Sequence, residues 1–159
     1  MADLYILYDT NGKYIGSKYD NGPPGGYESY AAGYRKLTYE EINSMHNEYE
    51  SYVYNQPKLK KLKEIHLGVS TRIFEIDGET KLSVFVKALH NDTSEDTKMF
   101  LGEPVEITIN DQKVMIPFGD MILLNPEYPG TYVISLSDDR FYSKSNKYTV
   151  SVINQIQEV

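Results

Sequence analysis

The hydrophobic positions of this chain fall into short runs that are bounded by turn-forming residues. In the first run, Leu4–Tyr8, every position is apolar or aromatic, and Asn11-Gly12 separates it from a second β-prone run that ends near Gly16. Asn-Gly favours the positive φ angles of a type I′ turn, so this pattern predicts a β-hairpin. Because both faces of Leu4–Tyr8 are apolar, we expect one face to pack on a helix and the other on a partner.

A helix is predicted after the hairpin. Thr38 and Glu41 have the spacing of a capping box, in which each side chain bonds to the backbone N–H of the other residue. The apolar stripe of the predicted helix consists of Ile42, Met45, Tyr49, Tyr52 and Val53. Pro57 ends the helical pattern. Hairpin and helix together predict a small α+β unit of ββα type over residues 1–56.

The segment between the predicted hairpin and helix, residues 20–34, contains four glycines and two prolines among tyrosines. This composition disfavours regular structure, so we interpret the segment as a loop, either a flexible connector or a contact loop. Tyrosine offers a large amphipathic contact area at a small cost in conformational entropy. The candidate partner-binding residues are therefore Tyr5, Tyr8, Tyr14, Tyr27, Tyr30 and Tyr34.

From Val69 onward the apolar positions alternate with a period of two. The pattern predicts seven strands, at residues 69–77, 81–89, 104–110, 113–118, 121–125, 131–137 and 146–153. No helical stretch long enough for a parallel crossover interrupts them, so residues 67–159 are predicted to form an all-β sandwich. The basic residues 57–66 have helical spacing and are predicted to be a linker or a short exposed helix.

Two stretches resemble known families. Pro129–Leu136 followed by Tyr148–Val152 resembles the last two strands of bacterial immunoglobulin-like and fibronectin-like modules, which implies an immunoglobulin-like sandwich. The opening Tyr5–Gly16 is similar to the start of small proteins encoded near the tail-fibre and baseplate genes of tailed bacteriophages and prophages. That resemblance implies a structural, tail-associated or virion role. Neither resemblance transfers a functional residue to this chain.

Composition and charge exclude several classes of protein. The 159 residues carry a formal charge of −7, which argues against nucleic-acid binding, and zero cysteines exclude disulfides and thiolate zinc sites. Neither a basic leader followed by an apolar core nor an 18-residue apolar run occurs, so we expect no signal peptide and no membrane insertion. The expected location is the virion if the chain is phage-encoded, and the cytoplasm otherwise.

Residues that carry chemistry are sparse. His46, His66 and His90 are too far apart for a helical metal pair, so no metal site, cofactor or catalytic residue is predicted. The acidic segments at residues 91–97 and Asp138-Asp139 contain oxygen ligands that calcium accepts, but they lack the spacing of a calcium loop. We interpret both segments as solvated loops.

These observations predict a non-enzymatic structural, assembly or interaction protein that docks on a protein partner, or on copies of itself, through its N-terminal tyrosines. One alternative is a carbohydrate- or host-receptor-binding module in which Tyr27, Tyr30, Tyr34 and Tyr39 stack on sugar rings, although tryptophan is absent. A second alternative is a hydrolase with an unrecognised site, although no G-x-S-x-G sequence is present.

Overall fold

A computed structural model describes residues 1–90 and 92–155 of the chain. The chain divides into two compact units, Met1–Lys63 and Glu64–Val159. Most of the regular structure in the described residues is β-strand, which agrees with the predicted predominance of strands.

The first unit is built on a three-stranded antiparallel sheet. Its elements are β1 (Asp3–Tyr8), β2 (Tyr14–Asp20), β3 (Gly33–Lys36), α1 (Tyr39–Met45), a 3-10 helix (Tyr49–Ser51), β4 (Tyr52–Val53) and β5 (Lys60–Lys61), with β6 (Lys63–Glu64) at the boundary between the units. The sheet has the strand order β2-β1-β3, and β4 pairs with β5.

The hairpin of β1 and β2 forms, but its turn differs from the predicted one. Within this turn, residues 9–13, only Gly12 has a positive φ angle, at 82°. The N–H of Gly12 bonds to the C=O of Asp9 at 2.9 Å. The Asp9 carboxylate accepts further bonds from the N–H groups of Asn11 and Lys13. The result is a type I turn closed by a left-handed glycine rather than a type I′ turn, because the Asp9 side chain bonds to the turn backbone.

A third strand, β3, completes the sheet. The predicted ββα unit did not include this strand. Strand β3 pairs antiparallel with β1, placing Arg35 opposite Ile6 and Tyr34 opposite Leu7. Arg35 fixes β3 by donating hydrogen bonds to the carbonyl oxygens of Tyr54, Gln56 and Pro57. These partners are about 20 residues away in sequence, so local composition does not reveal the strand.

Helix α1 begins as predicted and ends earlier. Both hydrogen bonds of the capping box between Thr38 and Glu41 are present. The predicted helix was expected to continue to Pro57, but α1 stops at Met45 because His46 and Asn47 adopt left-handed backbone angles. The predicted stripe still contributes to the first core, since Ile42, Met45, Tyr49 and Tyr52 all pack there.

The segment around Lys58–Lys63 is extended, so the predicted exposed helix does not form. Strand β5 pairs with β4, and the N–H of Leu62 bonds to the C=O of Ser51 at 2.8 Å. Burial of Leu62 accounts for this conformation, because its side chain is 5% exposed.

In the described residues, the second unit contains two sheets of three or more strands. Its elements are β7 (His66–Val69), β8 (Ile73–Ile76), β9 (Leu82–Lys87), α2 (Glu95–Phe100), β10 (Pro104–Ile109), β11 (Gln112–Pro117), β12 (Met121–Leu124), β13 (Gly130–Leu136), β14 (Phe141–Tyr142) and β15 (Lys147–Asn154). One sheet has the order β11-β10-β13-β15-β8 and the other β12-β9-β7. Only the β8–β15 pairing of these sheets is parallel.

Both sheets of the second unit contribute to one hydrophobic core. Fully buried side chains at alternate positions come from β9, with Val84 and Val86, and from β10, with Val105 and Ile107. A shared core between two sheets is consistent with a β-sandwich. The predicted strand at residues 69–77 is divided at residues 70–72, where the chain passes from one sheet to the other.

Candidate interaction surface

Strand β1 is the support on which the N-terminal tyrosines are arranged. Leu4 and Ile6 face the first core together with Met45 of α1. On the opposite face, Tyr5 and Leu7 are 5% and 2% exposed. The expectation that this second face of β1 meets a partner is therefore wrong for the strand itself, because the chain already covers it.

The ring of Tyr34 is held between two other tyrosines. Its centroid lies 5.8 Å from that of Tyr5 with the planes at 72°, and 5.2 Å from that of Tyr27 with the planes at 78°. Edge-to-face contacts of this kind are a favoured geometry for aromatic pairs. Tyr34 and Tyr27 remain partly exposed, so the supported rings still offer contact area.

The end of the glycine- and proline-rich segment is tied back to the sheet. The C=O of Tyr27 accepts bonds from the N–H groups of Tyr30 and Ala31, at 3.0 and 2.8 Å. The N–H of Ala32 bonds to the C=O of Tyr8 at 2.8 Å. Tyr30, which is 54% exposed, thus lies on an ordered turn. We call Tyr27, Tyr30 and Tyr34 the tyrosine surface.

The phenol of Tyr27 stays protonated at neutral pH. Partial desolvation raises its pKa, and the neighbouring Glu28 carboxylate raises the pKa further. The hydroxyl of Tyr27 is therefore available as a neutral hydrogen-bond donor.

The other predicted tyrosines serve the interior of the first unit. Tyr8 covers Gly33, where an added Cβ atom would collide with the Tyr8 ring. The rings of Tyr14 and Tyr49 stack with centroids 6.0 Å apart. Of the six tyrosines predicted to contact a partner, the structure groups Tyr27, Tyr30 and Tyr34, and buries Tyr5.

Two lysines that sequence analysis did not single out lie on the same face of the sheet as Tyr34. Lys18 of β2 and Lys36 of β3 lie opposite Tyr5 on its two sides, and so share its face of the sheet. Lys36 is within 3.2 Å of the Asp3 carboxylate, whereas the Lys18 side chain is exposed. The registers of β2 and β3 with β1 place them there.

Each of the three histidines has its own surroundings. His46 follows α1 in a left-handed conformation, the ring of His66 lies 5.5 Å from that of Phe85, and His90 is exposed. Within residues 1–90 and 92–155, no group of three or more metal-ligating side chains is brought together.

The predicted acidic loop at residues 91–97 lies only partly within the described structure, since residue 91 falls outside it. Ser94 caps α2 by accepting the N–H of Thr97, and the Asp92 carboxylate accepts the Thr97 hydroxyl at 2.8 Å. This arrangement orders the start of a short helix that sequence analysis did not predict.

Asp138, the other acidic candidate, is not solvated as predicted: its buried carboxylate pairs with Arg140, whose side chain is 43% exposed. Its carboxylate accepts the N–H of Glu106 at 3.0 Å and two side-chain bonds from Arg140, each at 2.9 Å. Burial alone raises the pKa of Asp138, but the bonds from Arg140 and Glu106 outweigh burial, and the pKa lies below its ordinary value. Arg140 also bonds to Glu103 and lies over the Phe141 ring.

Comparison with known proteins does not assign the chain to a family: no family model matches it, and no curated protein is similar to it. In the described residues, no helix has both the length and the apolar character needed to cross a membrane.

Proposed function

We propose that this chain is a non-enzymatic interaction protein that docks on a protein partner through Tyr27, Tyr30 and Tyr34. The observation that carries the proposal is the edge-to-face support of Tyr34 by Tyr5 and Tyr27. Rings that are already held in place lose little side-chain entropy when a partner covers them. Tyrosine is also enriched at protein interfaces.

The chemistry of the surroundings points to the character of the partner. The tyrosine surface offers aromatic area and neutral hydroxyl groups, and Lys18 places an exposed cation on the same face of the sheet as Tyr34. A partner with an apolar centre and a peripheral carboxylate matches this pattern. We expect the attraction between Lys18 and this carboxylate to affect the rate of association and its salt dependence more than the final affinity.

We also propose that the second unit is an immunoglobulin-like module. In support of this, β7 belongs to one sheet whereas β8 pairs parallel with β15, the last strand, in the other sheet. The unit carries eight basic and fifteen acidic residues, and this excess of negative charge favours solubility. An acidic immunoglobulin-like module, together with the resemblance of Tyr5–Gly16 to tail-associated phage proteins, favours a virion or tail component that is anchored by its first unit.

The test is binding of the full chain to the purified products of the genes beside its own, and to itself, measured by isothermal titration calorimetry. We expect the double variant Tyr27→Ala, Tyr30→Ala to weaken binding at least about tenfold, as loss of aromatic anchors does at interfaces. Tyr39→Ala is the matched control, because Tyr39 is 76% exposed but lies on α1. Circular dichroism checks that each variant is folded.

Three outcomes would overturn the proposal. The first is the absence of binding to any of these proteins at millimolar concentration. The second is an equal loss of affinity in the double variant and in Tyr39→Ala. The third is glycan-array binding that disappears in the double variant while no protein binds, which would assign the tyrosine surface to carbohydrate recognition instead.

A further inference from the structure

The three-stranded sheet of the second unit has two edges: Ser143 and Tyr148 bond to the backbone of Leu67 at the β7 edge, whereas no described strand pairs with the β12 edge. In the strand order β12-β9-β7, β12 has a neighbour on one side only. The N–H of Val86 in β9 bonds to the C=O of Asp120, 3.2 Å away, just before β12 begins. Because backbone groups along a strand alternate between its two edges, Ile122 and Leu124 also direct their N–H and C=O groups toward β9.

The remaining residues of β12, Met121 and Leu123, therefore direct their backbone groups outward. The N–H of Met121 bonds to the adjoining Asp120 carboxylate at 2.8 Å. The C=O of Met121 and both backbone groups of Leu123 lie along an edge with which no described strand pairs. These groups are positioned to receive another strand.

The side chains of this edge lack the features that normally protect an edge strand. Met121 and Leu123 are 47% and 61% exposed, and β12 contains no charged residue and no proline. Natural proteins usually place charges, prolines or bulges at sheet edges to prevent pairing with other chains. The other edges of the three larger sheets carry such residues or a histidine: Lys18 in β2, Arg35 in β3, Lys113 and Pro117 in β11, Glu75 in β8 and His66 in β7.

An open cavity of about 390 Å³ lies at the end of β12. Its lining includes Ile109, Val114, Leu124, Pro126 and Tyr132. Its apolar members from β10, β11, β12 and β13 pack against the core, yet they are only partly buried. The interior of the second unit is therefore accessible beside the unpaired edge.

We propose that the free edge of β12 binds an extended segment of a partner protein as a fourth strand. Backbone hydrogen bonds to Met121 and Leu123 would provide affinity, and alternate side chains would provide specificity. Side chains of the added strand that point to the same face as Leu124 enter the cavity, so the segment must have apolar residues at alternate positions.

Charge favours a partner segment over a second copy of this chain. Asp120 precedes β12 and Glu127 follows it closely, so carboxylates flank both ends of the edge. In an antiparallel pair of two β12 edges, Asp120 of one copy approaches Glu127 of the other, and the like charges repel. A segment with lysine or arginine at both ends of its apolar run complements the edge instead.

This inference goes beyond the proposed docking of the first unit and does not depend on the tyrosine surface. The probe is a panel of fluorescein-labelled seven-residue peptides with the pattern KxTxTxK, in which x is valine, leucine or phenylalanine. Binding to the full chain is followed by fluorescence anisotropy, and protection of the Leu123 amide is followed by hydrogen exchange. We expect saturating binding by at least one peptide and at least about tenfold slower exchange at Leu123.

Two variants at one exposed position test the edge directly. Leu123→Lys adds a charge that protects the edge, and Leu123→Pro removes the outward N–H; a proline is tolerated at an edge strand where its nitrogen faces solvent. We expect each variant to weaken binding at least about tenfold. Met115→Lys is the matched control, because Met115 is 52% exposed on β11, in the other sheet.

Several results would overturn the proposal. Failure of every peptide to bind at 1 mM is one, and equal affinity for the wild type and Leu123→Pro is another. Loss of peptide binding in Tyr30→Ala, with Leu123→Lys unchanged, would move the site to the first unit. Self-association that is abolished by Leu123→Lys would identify a second copy as the occupant. In each of the last two cases the partner strand on β12 is excluded.

Discussion

Replacing the buried carboxylate of Asp138 tests how the second unit is held together. In Asp138→Asn, the amide oxygen keeps only one of the two backbone N–H groups that the carboxylate accepts, from Glu106 and Arg140, and the negative charge that faces the Arg140 side chain is lost. Hydrogen bonds with a charged partner contribute about 1.5–3 kcal/mol, roughly twice as much as neutral ones. The Arg140 side chain is 43% exposed, so water replaces part of what it loses.

We therefore expect Asp138→Asn to lower the free energy of unfolding of the second unit by about 2 kcal/mol. Asp138→Ala leaves the backbone N–H groups of both Glu106 and Arg140 without this acceptor, so its cost rises to about 3–4 kcal/mol. Urea unfolding followed by circular dichroism measures both values. The exposed neighbour Asp139 is the control, and Asp139→Asn should change stability by less than about 0.5 kcal/mol.

The pH dependence of the Asp138→Asn effect has a definite sign. The pKa of Asp138 is lower in the folded state than in the unfolded chain, so its contribution to stability is present above the unfolded pKa. The contribution is lost as the pH falls through the lowered folded pKa. Wild type and Asp138→Asn should therefore converge in stability at acidic pH. A difference that persists unchanged down to pH 2, or equal unfolding midpoints at pH 7, would refute the reasoning.

Three further predictions concern the two cores and their turns. Thr38→Ala removes the capping oxygen of α1 and should destabilise the first unit by about 1 kcal/mol in urea unfolding, whereas Thr38→Ser retains it. Gly12→Ala should cost more than about 1 kcal/mol in the same assay, because φ is 82° and a Cβ atom collides with the Asn55 side chain; at Gly16 the space is open, and Gly16→Ala should have a smaller effect. Ile107→Ala creates a cavity in a fully buried site and should cost about 2–5 kcal/mol by thermal unfolding, whereas Ile73→Ala, at a residue 65% exposed, should cost little. Equal effects within any of these pairs would contradict the assigned role.

Features that depend on neighbouring residues were predictable from the sequence. The capping box of α1 requires only Thr38 and Glu41, three positions apart, and the structure contains both of its bonds. The strands of the second unit follow from alternating residues such as Val105 and Ile107, which are fully buried. Local patterns of this kind directly encode which face of an element is covered.

Features that depend on distant residues were not predictable. Strand β3 has one strong β-former, Tyr34, and is held by Arg35 bonds to residues near Pro57. Its register decides that Tyr34 supports Tyr27 and covers Tyr5, and so decides which tyrosines form a surface. Likewise, nothing in the residues of β12 shows that no other strand pairs with its outer edge.

The parallel pairing of β8 with β15 determines how the second unit responds to a pulling force. The two strands come from the beginning and the end of the unit, and they pair in register from Ser151 with Ile73 to Asn154 with Ile76. Because they run in the same direction, tension applied at Ile73 and Asn154, the outer ends of this pairing, slides one strand along the other. All the bonds between them are then loaded in shear at the same time rather than opened one by one. The β8–β15 pairing therefore resists tension between these two points more strongly than a pair of strands that opens from one end.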